Sequence, residues 1–239
     1  MNTNVAIPEH VKARGTLFRL AAAMLDYPLA ETWEALQQGR LAAVLNEALS
    51  ALGEASWPGL PASPDLQALE VGYMATFVHG RHGKPRVPLV ASAYGQLLAG
   101  DTPGRYLLNV QAFYRHFGLK AATEDEGHID EPDHLVTMLE FCALLCHLEQ
   151  QALENGRDPS SPRRALRDFL TRYLVPMAST LRERFNHESD QGLDANLACL
   201  VQRLPDWAER QQALLENQVG PCPQPGQRAA TGESEGMWE

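Results

Sequence analysis

Apolar residues along this 239-residue chain recur at three- and four-residue intervals, the spacing of one helix face. Leu17, Leu20, Ala21, Met24 and Leu25 share a face in a helix predicted over 11–25, which stops before Pro28. Trp33, Leu36, Leu41, Val44, Leu45, Ala48, Leu49 and Leu52 repeat the pattern over 31–52, and Gly53 supplies a stop. Residues 54–64 hold Pro58, Gly59, Pro61 and Pro64 and read as a loop. Leu66, Leu69, Tyr73 and Phe77 align in a third helix over 65–78. From His79 to Pro88, glycine, proline and basic side chains predict an irregular loop whose spacing does not match a phosphate-binding loop. A short helix over 92–98 follows, then one opened by Thr102 and Pro103 that ends at Gly118.

The strongest pattern starts at Leu135. Leu135, Met138, Leu139, Cys142, Leu145 and Cys146 form one face, and Val136, Phe141, Ala143 and Leu144 fill the others, so this helix is predicted to be buried nearly all round. Pro132 suits a first helical turn, and Asp130 or Asp133 suits its cap. A later helix opens at Ser161-Pro162, is expected to kink at Pro176 and continues through Met177, Leu181 and Phe185. The last helix is predicted over 191–215 with a bend at Pro205. No strand-like alternation survives. The prediction is an all-α protein, a single compact bundle of about eight helices. Its domain spans 1–217, with lobes over about 10–118 and 131–217 that meet at the acidic connector 119–130. Residues 218–239, rich in proline and glycine, are expected to be a disordered tail in which Trp238 has no assigned role.

Charge narrows the partners. Asp plus Glu outnumber Lys plus Arg by 30 to 20; the net charge of -10 argues against general nucleic-acid binding and favours a cationic partner. The N-terminus lacks the basic and apolar regions of a signal peptide, and Glu140 interrupts the longest apolar run short of the ~20 residues of a membrane span. A cytoplasmic protein without stable membrane insertion is expected. The four cysteines, Cys142, Cys146, Cys199 and Cys222, form no Cys-x-x-Cys pair and read as buried thiols. Arg163-Arg164 reads as surface charge.

The candidate chemistry is the cluster Glu131-Pro132-Asp133-His134 at the mouth of the apolar helix. Capping alone accounts for the acids; a histidine beside them also makes the cluster a site candidate. Glu131-x-x-His134 has the spacing of di-iron bundle ligands, so the alternative function is a helical-bundle metalloprotein. That reading wants a second such pair, and Glu183 and His187 are one residue too far apart. Asp125 and His128 have the spacing but fall in the connector. Hydrolase motifs of the Gly-x-Ser-x-Gly type are absent.

Glu131-Pro132-Asp133-His134 entering Leu135-x-x-Met138-Leu139-Glu140-Phe141 resembles the signature of the TorD/DmsD/NarJ family of molybdoenzyme maturation chaperones. Glu70-x-x-Tyr73-x-x-x-Phe77 and Pro88-x-x-x-Ser92-x-Tyr94 are similar to further family elements and stand in the right order. The chain departs from the family pattern at Tyr173, where a histidine is usual, and lacks the tryptophan that follows. Residues 135–149 look most like the chaperones of the dimethyl sulfide dehydrogenase, selenate, chlorate and ethylbenzene type of enzyme. The resemblance implies no enzyme and no cofactor. It implies a cytoplasmic, system-specific chaperone, a monomer or a domain-swapped dimer. That chaperone would bind the catalytic subunit of a molybdenum-dependent oxidoreductase by its twin-arginine signal peptide or N-terminal region, and hold it for cofactor insertion before export. Glu131 and Asp133 would pair with guanidinium groups, and Tyr73, Phe77, Pro88 and Tyr94 would take the apolar part. Pro132, His134 and Ser92 would complete the surface, with His134 orienting Asp133.

Overall fold

The computed structural model describes residues 3–80, 83–119, 131–188 and 192–223, with side chains from Glu9 onward. The α-helices among them are α1 (Thr3–Leu25), α2 (Ala30–Gln37), α3 (Arg40–Ala51), α4 (Leu66–Tyr73), α5 (Pro103–His116), α6 (Leu135–Glu154), α7 (Ser160–Phe169), α8 (Val175–His187) and α9 (Ala195–Val219). No strand occurs among the described residues, and a lone antiparallel bridge joins Val90 to His134. The all-α prediction therefore holds. With α7 and α8 counted as the one rod they form, the helices number about eight.

Helix α6 is the axis. Leu135, Met138, Leu139, Cys142 and Leu145 have no exposed surface at all. Each fully buried leucine contributes about 1.5–3 kcal/mol, so the apolar length of α6 is what gathers the other helices. Helix α1 lies along α6 in the most extensive contact of the fold, α7 covers another side, and α9 closes over α7 and α8. The approach of α1 is close: a Cβ at Gly15 would sit 3.1 Å from Cys146 Cβ. Burial pushes the thiols of Cys142 and Cys146 up, so both stay neutral and serve as small packing groups.

A buried ionic group fastens the same three helices. The Arg14 guanidinium of α1 donates to Glu149 Oε2 of α6, and Arg163 of α7 donates to Glu149 Oε1 at 2.6 Å. Arg14 Nε also lies 3.4 Å from Cys146 Sγ. The surface role expected for Arg163 is corrected: its side chain keeps 16% of its exposure and meets a carboxylate that keeps 1%. A buried acid this close needs a cation, and periodicity cannot show which one reaches it.

Other differences have local causes. The helix predicted over 31–52 is two, because Gly39 takes a left-handed φ of 67° that ends α2 and starts α3. Helix α4 passes into a π-helical turn over Met74–Val78. A second π turn over Leu170–Leu174 joins α7 to α8, directly before Pro176. The wider turn is where the rod accommodates a residue that lacks an N–H and crowds the preceding turn. Helix α9 continues through Pro205 to Val219, beyond the expected end. Arg167 caps it, donating to the carbonyls of Val219 at 3.0 Å and Gly220 at 2.8 Å. The expected tail thus begins as helix, and residues 224–239, Trp238 included, lie outside the described residues, as does the connector over 120–130.

Replacing Glu149 by leucine leaves two arginines facing a low-dielectric interface without their anion. A loss of about 3–5 kcal/mol in unfolding free energy is expected, read as a lowered urea midpoint.

Candidate functional site

The residues singled out at the mouth of α6 and those around Ser92 meet in space. Leu135 N–H donates to Leu89 O at 2.8 Å, and Ala91 N–H donates to Asp133 O at 3.0 Å. The Asp133 carboxylate then accepts the Ser92 N–H through Oδ2 at 2.7 Å. Tyr114 of α5 donates its hydroxyl to Pro132 O at 2.6 Å, and Tyr94 donates to Pro88 O at 2.8 Å. Segments 88–94 and 131–135 are thereby clamped by backbone and side-chain bonds at once.

Asp133 is not the helix cap expected from the sequence. His134 is: its Nδ1 accepts the Val136 N–H at 3.3 Å, and Pro132 precedes the helix. An accepting Nδ1 leaves the proton of a neutral ring on Nε2. Asp133 is 1% exposed, and its carboxylate is committed to the segment across the clamp. Pairing it with a client guanidinium would require that bond to open. Glu131 is exposed, while its carbonyl holds the His134 N–H. The His134 Nδ1 serves its own helix entrance, while the Asp133 carboxylate reaches the Ser92 segment.

Tyr73 and Phe77 are buried, and their rings meet edge to face at 5.1 Å. Tyr73 donates to Leu25 O, a carbonyl left without a partner at the end of α1. Burial pushes the phenols of Tyr73, Tyr94 and Tyr114 far upward, so each remains protonated and donates. Tyr173, where the family usually has histidine, is buried against Tyr106 and Phe113, each at 5.6 Å. It fills an aromatic cluster and offers no ring nitrogen.

One side of the clamp opens into a cleft of about 530 Å³. Pro85, Pro88, Tyr94 and Gln96 form one wall, and Thr180, Glu183, Arg184 and His187 of α8 form the other. Arg184 spans the walls at their base: Nε donates to Arg86 O at 2.8 Å, and Nη2 pairs with Glu188 at 2.9 Å. Of the candidates drawn from the sequence, Pro88 and Tyr94 line this cleft; Glu131, Pro132, Asp133, His134, Ser92, Tyr73 and Phe77 do not. Sequence reasoning missed Thr180 and Arg184. It weighed Glu183 and His187 only as metal ligands, although their four-residue spacing already put both on one helix face.

Among the described residues no three His, Cys, Asp or Glu side chains converge, and Asp125 and His128 lie outside the described residues. No described helix is long and apolar enough to cross a membrane.

Asp133→Ala removes the acceptor from a part-buried N–H. Unfolding free energy is expected to fall by about 1–3 kcal/mol, with the far-ultraviolet dichroism unchanged. Tyr114→Phe should cost less, about 0.5–1.5 kcal/mol, in the same denaturation experiment.

The family model described as nitrate reductase delta subunit matches residues 34–183. The chain is 43% identical over 210 residues to the dimethyl sulfide dehydrogenase assembly chaperone protein of Rhodovulum sulfidophilum, covering 88% of this chain and 84% of that protein. It is 39% identical over 118 residues to the selenate reductase assembly chaperone protein of Thauera selenatis, covering 49% and 58%. It is 31% identical over 184 residues to the chlorate reductase assembly chaperone protein of Ideonella dechloratans, covering 77% and 81%. No solved structure matches the chain. These relatives are named as assembly chaperones, and the family model covers well over half of the chain: the chain belongs to the nitrate reductase delta subunit family, the TorD/NarJ group of system-specific maturation chaperones.

Proposed function

We propose that this chain is a cytoplasmic assembly chaperone, not an enzyme, for one molybdenum-dependent oxidoreductase. Its task is to hold the immature catalytic subunit until the molybdenum cofactor is inserted and export can begin. The observation that carries this reading is the match, across most of both chains, to an assembly chaperone of dimethyl sulfide dehydrogenase. The oxidoreductase subunit is the partner, and its twin-arginine signal peptide or N-terminal region is the segment bound.

The geometry supports a docking role in a specific way. The clamp fixes segments 88–94 and 131–135 rigidly, so little conformational entropy is lost when a client settles against them. In this reading Pro88, Tyr94, Glu131, Pro132 and His134 present the docking surface. Tyr73, Phe77, Ser92 and Asp133 hold its shape from beneath. Apolar contact supplies most of the affinity, because exposed ion pairs contribute only about 0–1 kcal/mol each. A division into lobes at the 120–130 connector, in a monomer or a lobe-swapped dimer, belongs to the same proposal.

The test is expression of the tagged chain in a host that also makes a molybdoenzyme of the dimethyl sulfide dehydrogenase type. The catalytic subunit is expected to co-purify with the chain, and deleting the gene for the chain should leave that subunit without cofactor. Full cofactor loading in the deletion strain, with no co-purification, would sink the proposal.

A further inference from the structure

The acid that the sequence pointed to as the reader of a client cation is spent inside the clamp. Asp133 is 1% exposed and bonded to Ser92 N–H. The cleft beside the clamp offers another. Glu183, on the last two turns of α8, is exposed and lines it, and has no ion-pair partner among the described residues. Arg184, the neighbouring cation in the lining, is matched by Glu188 and by Arg86 O. The charge left over in the cleft is therefore the negative one on Glu183.

Three further features favour a cation there. Helix α8 ends at His187, so its carbonyl pole adds partial negative charge to the same end of the cleft. The Tyr94 side chain, 7% exposed, lines the facing wall and is held by the bond from its hydroxyl to Pro88 O, so what it shows the cleft is aromatic surface rather than a competing cation. Pro85 and Pro88 give that wall a stiff apolar edge for the methylene stem of a long basic side chain. A cleft of about 530 Å³ has room for a few side chains of an extended segment. It lies within the ~300–1,000 Å³ range of ligand-holding pockets.

We infer that Glu183 is a specificity-determining residue, pairing with an arginine side chain of the client's N-terminal segment while that chain lies between α8 and the Pro85–Tyr94 wall. Its ring at hand, His187 stands one helical turn along the same wall. Arg184 is a positioning residue that keeps the walls apart at a set width through Arg86 O. This inference rests on the proposed chaperone function and adds the residue that selects the segment.

The test uses the full chain and two fluorescein-labelled synthetic peptides. One carries two adjacent arginines before an apolar run. In the other both arginines are citrulline, a neutral side chain of nearly the same shape. Fluorescence anisotropy gives each dissociation constant for the wild type, Glu183→Gln and Glu209→Gln; Glu209 is an exposed acid on α9 outside the cleft. The wild type should prefer the arginine peptide, and Glu183→Gln should lose about threefold to fivefold in affinity for it with no change for the citrulline peptide. Glu209→Gln should retain the full preference. Equal affinity of the wild type for both peptides, or none for either, overturns the inference. So does an equal loss in the two glutamine variants. None of these outcomes touches the co-purification of a catalytic subunit, whose absence would overturn the chaperone reading instead.

Discussion

The bond from the Ser92 N–H to the Asp133 carboxylate organises the end of the protein at which α6 begins. It joins the short 3-10 turn Ala91–Ala93, which stands where a helix over 92–98 was expected, to the irregular entrance of α6, and each leaves polar groups that its own turn does not satisfy. Irregular backbone near a core leaves donors and acceptors that must find partners. Here the partners are each other: Leu89 with Leu135, Ala91 with Asp133, and Ser92 with the Asp133 side chain. A charged acceptor gives the strongest of these bonds. Two phenols, those of Tyr94 and Tyr114, bind carbonyls that would otherwise be left over.

The clamp is seated on the buried apolar face of α6. Helix α6 is buried except along one narrow stripe through Glu140, His147 and Gln151, the one face left open where the sequence predicted burial nearly all round. The entrance of α6 is therefore presented at a fixed place, with α5 beside it through Tyr114 and α8 across the cleft through Arg184. The group of Arg14, Glu149 and Arg163 acts at the other half of α6, where α1 and α7 come close. Its two cations around one carboxylate do little to make the interface stronger than apolar packing would. They do penalise any sliding of α1 along α6, since a one-turn shift would strand the carboxylate.

Much of this was legible from residue order. The apolar residues of 135–146, broken only by Thr137 and Glu140, required a largely buried helix, and Thr102-Pro103 announced the start of α5, where the Thr102 hydroxyl accepts the Arg105 N–H. The candidate site was legible as a set of residues but not as a set of roles. Asp133 looked like a cap because an acid before an apolar run usually is one. The cap fell to His134 because the backbone pairing with segment 89–91 aims the Asp133 side chain across the clamp. Gly39 was one of several glycines, and nothing local separates a glycine inside a helix from one that ends it.

Sequence by itself determined the all-α class, the helix around which the others gather, and the family, because these follow from local periodicity and from an ordered run of motifs. Tertiary structure alone decided which polar side chains are consumed inside the molecule and which remain for a partner. Asp133 and Arg163 were consumed, while Glu183 was left facing the cleft. The reason is that periodicity reports which face of one helix is apolar. The partner of a charge is set by a second element whose distance and orientation come into being only when the chain has packed.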